Sequence, residues 1–269
     1  MRLNPLRLQP VARSKRATIR SAPPRGEADT GQRHYDFSPG RCHARVIEIG
    51  RERSKIILVD ELLADPHSAI ELAARDISFR TARDGMSHFP GVRSGAPSDY
   101  LATFQGALEP LIRDTYSIPS DLHASVRTMF SITTTSPARL MQQQRVPHYD
   151  AVEKWMISVV HYLFRKSFGG TCFFRHRATG FERMAPDRED VYKARLDSQL
   201  EEIGQLPDRY MTESNALFER TYDAEGLFNR LVIFEGQLLH SGTVNADAGL
   251  VQDPRAGRLT VNTFLTYGD

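Results

Sequence analysis

The sequence predicts a mainly β fold with flanking helices. Three observations carry this expectation. From about residue 120 onward, the runs "ASVRTMFSITTTS", "KWMISVVHYLF" and "RLTVNTFLTY" are rich in β-branched residues and alternate, as half-buried strands do. Two stretches with helical spacing precede them. Between two of the later strands, residues 179–229 have helical character and read as an insertion into a β core.

Residues 1–45 form a basic segment. "MRLNPLRLQPVARSKRATIRSAPPRG" holds seven basic residues, no acid and four prolines, without sustained periodicity. It reads as a disordered tail or a start-site artefact, an organellar presequence, or a basic arm for an acidic partner. The body, residues 46–269, opens with two strands, "RVIEIG" and "SKIILVDELL". "ADPHSAIELAARD" reads as a helix with Asp65 as N-cap and Pro66 at its first position. "SDYLATFQGALEPLIRDTY" reads as a second helix, with Leu101, Phe104, Leu108, Leu111 and Ile112 on one face. The intervening "DGMSHFPGVRSGAPS" reads as loop. "GGTCFFRHR" and "RLVIFEG" add two strands. Within 179–229, Asp187 is expected to cap a helix whose Val191, Leu196, Leu200 and Ile203 lean to one side. The ends of this insertion are pinned between core strands, so it is expected to form a helical lid or wall beside the site, with outside packing or a homodimer contact as the alternative.

Composition excludes several classes. The 269 residues are 40% hydrophobic and 25% charged, an ordinary globular balance. No apolar run is long enough to span a bilayer. The net charge of +2 hides an asymmetry: residues 1–53 carry 12 Lys and Arg against 5 Asp and Glu. The remainder is therefore acidic, which argues against nucleic-acid binding by the body. Two distant cysteines, Cys42 and Cys172, make no disulfide scaffold, and a reducing, cytoplasmic setting is the default.

The chemistry centres on "VPHYD". His148 and Asp150 stand two apart, so on a strand both side chains face one side and can aim a nitrogen and an oxygen at a common point. Alone, such a pair is weak evidence. A third donor strengthens it: "LVIFEGQLLHSG" is a buried-type strand, a Glu-Gly turn, and then His240 before a small Ser-Gly. Two histidines and one carboxylate are the facial ligand set of non-haem Fe(II) oxygenases; Zn²⁺ on the same ligands would be hydrolytic or structural. "GRLTVNTFLTY" then places Arg258, Thr260 and Asn262 on one strand face. A guanidinium with a hydroxyl two residues on makes a carboxylate pocket, and a dicarboxylic keto acid fits it.

Together, "PHYD", "VVHYL" followed by "GGTCFF", "LVIFEGQLLHSG" and "GRLTVNTF" resemble the 2-oxoglutarate and Fe(II)-dependent oxygenases, closest to their prolyl-4-hydroxylase-like branch. The resemblance covers roughly the C-terminal half. "ILVDELLADPHSAIELA" and "FPGVRS" also look like a bacterial offshoot of that branch. The resemblance implies a double-stranded β-helix, or jelly roll, with iron on His148, Asp150 and His240. It implies that Arg258 binds the distal carboxylate of 2-oxoglutarate, with Thr260 and the Tyr162 hydroxyl assisting, and that O₂ is the oxidant. The stretch from His240 to Arg258 is longer than is usual in the branch and contains Arg255. Arg258 is the expected clamp because it lies on the strand and carries Thr260 two residues on.

Asn262, Gln142, Gln144 and Trp155 are further pocket candidates: the two glutamines as neighbours on one strand face, Trp155 as either a packing or a gating residue. His161 is expected to be packed, His176 to have a surface role, and Cys172 to lie in the core. The expected activity is hydroxylation of an amino acid, peptide or small metabolite. A non-catalytic metal- or ligand-binding jelly roll and a Zn hydrolase on the same barrel are the alternatives, and neither needs a dicarboxylate clamp.

Overall fold

The alternating runs do form strands, and their alternation decides which layer each residue joins. The structure, a computed structural model, describes residues 35–81 and 88–268. In chain order the elements are β1 (His43–Ile49), β2 (Ser54–Asp60), α1 (Pro66–Arg75), β3 (Arg80–Thr81), β4 (Gly91–Gly95), α2 (Ser98–Tyr116), β5 (His123–Thr133), β6 (Met156–Tyr162), β7 (Thr171–His176), α3 (Pro186–Ile203), β8 (Phe218–Ala224), β9 (Arg230–Glu235), β10 (His240–Gly242) and β11 (Arg258–Gly268).

Eight strands make one sheet in the order β1-β2-β9-β6-β11-β5-β4-β3, and three make a second, β10-β7-β8. All pairings are antiparallel. From β6 onward the chain passes between the two sheets, as in a jelly roll. Mainly β with flanking helices, this is the double-stranded β-helix expected.

Each face of the large sheet has its own core. Ile57, Val59, Ile157, Val159, Leu231 and Val261 face α1 and α2. Ile56, Leu58, Tyr162, Val232 and Phe234 face the small sheet. Helix α2 presents Tyr100, Phe104, Leu108 and Ile112 at four-residue spacing, all buried. Fully burying such a side chain stabilises by about 1.5–3 kcal/mol. Leu101 and Leu111 are only half-buried. Asp65 caps α1 by accepting from the His67 amide, with Pro66 at the first position as expected.

Five expectations are corrected. Within "DGMSHFPGVRSGAPS", read as loop, β4 pairs with β5 from Gly91↔Thr133 to Gly95↔Met129. Residues 179–229 are not helical throughout: they contain α3 and also β8, which pairs with β7. Helix α3 starts at Pro186, so Asp187 lies in its first turn, where a carboxylate favours the helix dipole, and is not the cap. Its buried side is Glu189, Tyr192 and Leu196; Val191 and Ile203 are exposed. Finally, the basic segment does not extend through residue 45 as a tail. Residues 1–34 lie outside the described residues, but Phe37 is buried edge-on against Tyr100, and β1 begins at His43.

Helix α3 covers the outer face of the small sheet. On β7, Cys172, Phe174 and His176 point toward α3, while Phe173 points toward the large sheet. His176 is buried and not a surface residue. Its ring bonds Thr179 Oγ1 at 2.9 Å and Gln199 Oε1 at 2.8 Å and meets Tyr192 edge-on. No helix among the described residues is long and apolar enough to cross a membrane.

Candidate metal centre

His148 and Asp150 do not lie on a regular strand. They follow a 3-10 turn, Gln142–Arg145, and are held by two backbone anchors. The His148 amide donates to His240 O at 2.9 Å and the His240 amide to His148 O at 2.7 Å. This antiparallel bridge sets the two rings on one side, with centroids 4.3 Å apart. The Asp150 amide donates to Gly236 O at 2.7 Å, so the Glu-Gly turn after β9 holds the carboxylate's backbone. A Cβ at Gly236 would come within 2.4 Å of Met156 Sδ, so the turn packs closely on β6.

Asp150 Oδ1 lies 3.9 Å from His148 Nε2, and Oδ2 lies 3.6 Å from His240 Nε2. One donor atom from each residue lies within 4.8 Å of the others. A second layer orients them. Ser158 Oγ donates to Asp150 Oδ2 at 2.6 Å. His240 Nδ1 is 2.8 Å from Leu238 O. A carbonyl only accepts, so Nδ1 carries the hydrogen and Nε2 presents its lone pair, the arrangement a metal-binding histidine needs. Burial, with His240 adding to it and Asp150 opposing it, pushes the His148 imidazole down to about 3, so it is neutral near pH 7. Two imidazoles and a carboxylate, open on the cavity side, fit a divalent cation such as Fe(II).

The donors line a cavity of about 160 Å³ between the two sheets. Arg258 lines it too. It is 4% exposed, its Nη2 donates to Gly170 O at 3.0 Å, and its Nε has no hydrogen-bond partner. Among the described residues no carboxylate pairs with it. Burial lowers its pKa, the sign of a guanidinium short of a counter-ion. The Gly169–Gly170 backbone fits only as glycine: a Cβ would come within 1.6 Å of Thr243 O at the first position and 1.9 Å of Ala224 O at the second.

Thr260 is buried in the wall and donates to Asn262 Oδ1 at 2.9 Å; both line the cavity. Tyr162 stands directly across from Thr260 and donates to Thr171 Oγ1 at 2.8 Å, so Thr171 lines the cavity and the phenol backs it. Arg255 lies outside, in a bidentate surface pair with Glu71 at 2.7 and 2.8 Å.

The remaining candidates divide. Gln144 lines the cavity and donates to His88 O at 2.7 Å. Gln142 does not line it, because the stretch is a 3-10 turn and not a strand; Gln143 does. Trp155 is not in the lining either. It sits in a left-handed turn with φ 61° and packs against the helix-side core, under Lys154. Helix α3 contributes no lining side chain, so it is a cover for the small sheet and not a lid; the inserted segment reaches the cavity through Tyr210. Sequence reasoning missed Arg93, Arg127 and Ser158. Ser158 was open to detection, since it shares strand parity with Tyr162.

Fold and site together define a jelly-roll protein with a two-histidine, one-carboxylate cluster inside. The model of a family of unknown function (DUF6445) matches residues 40–265, and the chain belongs to that family. No curated protein matches the chain. Among solved structures, HygX from Streptomyces hygroscopicus, bound to nickel, 2-oxoglutarate and hygromycin B, is similar with a TM-score of 0.42 at 9% identity, over 80% of this chain and 84% of that one. An N-substituted L-amino acid dioxygenase from Burkholderia ambifaria AMMD is similar with a TM-score of 0.36 at 9% identity, over 87% of this chain and all of that one, 100%.

Proposed function

We propose that this chain is an Fe(II)- and 2-oxoglutarate-dependent oxygenase of the prolyl-4-hydroxylase-like kind, hydroxylating an amino acid, a peptide or a small metabolite. One observation carries the reading: a single cavity holds both the His148, Asp150 and His240 donor set and a buried Arg258 that pairs with no carboxylate among the described residues. A cation answers the first and an anion answers the second. A dicarboxylate keto acid answers both, with its keto-acid end toward the donors and its far carboxylate on the guanidinium. A zinc hydrolase or a simple metal-binding module has no use for such a clamp.

Ferrous iron, when bound, supplies the activation of O₂ that couples decarboxylation of the keto acid to oxidation of a C–H bond. The chain's own residues bind and orient. His148, Asp150 and His240 hold the metal. Ser158 fixes the Asp150 carboxylate, and the Leu238 carbonyl fixes the tautomer of His240. Arg258 anchors the co-substrate, with the Thr260 hydroxyl and the Tyr162–Thr171 pair as the nearby polar groups. Val160 and Phe234 in the same wall keep water from the reacting end.

The test is anaerobic mixing of Fe(II) and 2-oxoglutarate with the protein. A visible charge-transfer band is expected with the wild type and not with His240→Ala. A protein that gives no band and consumes no 2-oxoglutarate under air would sink the reading.

A further inference from the structure

The cavity around the metal donors ends at a partition, and the oxygenase reading leaves that partition without a task. Beyond it lies a second, larger space of about 650 Å³. Among the described residues two line both spaces, Tyr210 and Val244. Both are buried and pack with Leu140. The partition stands at the Arg258 end. A Cβ at Gly242 would lie 3.6 Å from Val244 Cγ2 and 3.7 Å from Arg258 Nη2, so the valine and the guanidinium flank one point. The Tyr210 hydroxyl donates to Thr135 O at 2.6 Å, two residues past Thr133, which stands across from Arg258. Arg258 itself donates to Gly170 O and lies over the Phe164 ring, and both of those residues line the second space.

The tyrosine is held from behind. It belongs to the stretch that returns from α3 to β8. Buried Arg145, on the turn that leads to His148, donates to Leu206 O at 2.8 Å and to Leu140 O at 2.7 Å, and it pairs with Asp208 at 2.5 Å. One guanidinium thus ties the returning segment, the leucine that packs with the ring, and the turn before a metal donor. Burial pushes the Tyr210 phenol up and the nearby Arg258 charge opposes, so the ring meets the clamp as a neutral hydroxyl. Tyrosine is the larger of the two partition residues, so its ring supplies most of the barrier.

Resting on the oxygenase reading, we propose that Tyr210 is a specificity-determining residue: its ring closes the Arg258 end of the cavity and limits the keto diacid to the length of 2-oxoglutarate. One end of the acid is fixed at the metal donors and the other at the guanidinium. A homologue with one more methylene must drive its far carboxylate past Arg258 and into the ring. The rejection is steric, so it disappears when the ring is shortened and the two spaces join.

The test titrates the full chain calorimetrically with 2-oxoglutarate and with 2-oxoadipate, in the presence of Fe(II) and without oxygen, and separately with glutarate and adipate without metal. Wild type, Tyr210→Ala, Tyr210→Leu and Tyr210→Phe are compared. Wild type is expected to prefer the shorter acid of each pair by about tenfold or more. In Tyr210→Ala and Tyr210→Leu the preference should fall to about threefold or less, because the longer acid binds more tightly than it does to wild type. A residue that merely supports the fold would not produce that gain. Leucine keeps an apolar contact with Leu140 and Val244, so its variant reads the proposal even if Tyr210→Ala fails to fold. Tyr210→Phe keeps the ring and loses the bond to Thr135, and its preference should match wild type. No preference in wild type, one that survives in Tyr210→Leu, or one that is lost equally in Tyr210→Phe overturns the proposal; if 2-oxoglutarate still binds with Fe(II), the oxygenase reading stands without it. A glutarate preference that follows Tyr210 in a protein that binds neither keto acid keeps the barrier and sinks the oxygenase reading alone.

Discussion

On the helix side of β6, His161 sits between Tyr100 and Asn229. On the cavity side of the same strand, Ser158 holds Asp150 between His148 and His240. The Asn229 amide nitrogen donates to Leu63 O, and its oxygen accepts from Leu63 N, so that oxygen is an acceptor toward His161. His161 Nε2 therefore carries the hydrogen, and Nδ1 accepts from the Tyr100 hydroxyl at 3.0 Å. Both ring nitrogens are used and the residue is fully buried. The cavity cluster differs: His240 spends one nitrogen on Leu238 and points the other at the shared space. The first cluster is closed and contributes stability. The second is open, and on the proposed reading its free donors serve a metal ion.

Substitutions should break the two sides differently. The largest effect is expected from His240→Ala or Asp150→Ala. Loss of a direct ligand should weaken Fe(II) binding by more than the ~10–100-fold typical of an outer-layer change. Equilibrium dialysis against iron reads this; unchanged iron binding in both variants would remove the metal assignment. Next comes Arg258→Ala. Removing one partner of a buried charge pair costs about 3–5 kcal/mol, or roughly two to four orders of magnitude in the constant for 2-oxoglutarate. Arg255→Ala should change it little, since its partner is Glu71 on the surface. The reverse pattern would move the clamp into the loop.

The closed cluster should show itself as a pH dependence of stability. Burial pushes the His161 pKa down to about 4, with the Asn229 bond opposing. Between the ordinary value of ~6.5 and about 4, the unfolded chain takes up a proton that the native ring refuses. Stability therefore falls as pH drops through that window, by about 3 kcal/mol from this group, and no further below it. Urea melts at pH 7 and pH 4 should differ less in His161→Gln by that amount. Equal pH differences in the two proteins would mean that the ring titrates normally.

What could be read in advance followed from periodicity and short spacing. The alternation in β5, β6 and β11 gave their faces, and with them the cavity positions of Thr260 and Asn262. The Glu-Gly turn and Ser-Gly flank around His240 were visible as letters. What was hidden depends on distant partners. β4 holds two glycines in five residues and is a strand because β5 offers it a ladder. β8, "FERTYDA", is mostly polar and exists as the outer partner of β7. His176 is buried because α3 folds over it. Arg93 and Arg127 face inward through the register of β4 and β5 on their neighbours, and no local pattern encodes a register. Gln142 and Trp155 failed as pocket residues because the chain turns at 142–145 and again at 155, where extended parity no longer applies.

The smallest expected effect bears most directly on how the open cluster stays ordered. Asp150 offers two oxygens, one toward each histidine, and Ser158 donates to the oxygen on the His240 side at 2.6 Å. A carboxylate outside a regular strand has rotational freedom that its backbone anchor to Gly236 does not remove. The serine removes it, and its own position is fixed by pairing with both Phe234 and Phe264. In Ser158→Ala the donor is lost while the strand and its packing remain, so the fold should hold and the metal site should loosen. Fe(II) affinity should fall by roughly 10–100-fold, while 2-oxoglutarate should still depend on Arg258. Ser158→Thr keeps a hydroxyl and should recover part of the loss. If Ser158→Ala binds iron as tightly as wild type, the carboxylate is set by its backbone alone, and the open cluster is as rigid without its second layer as the closed one is with Asn229.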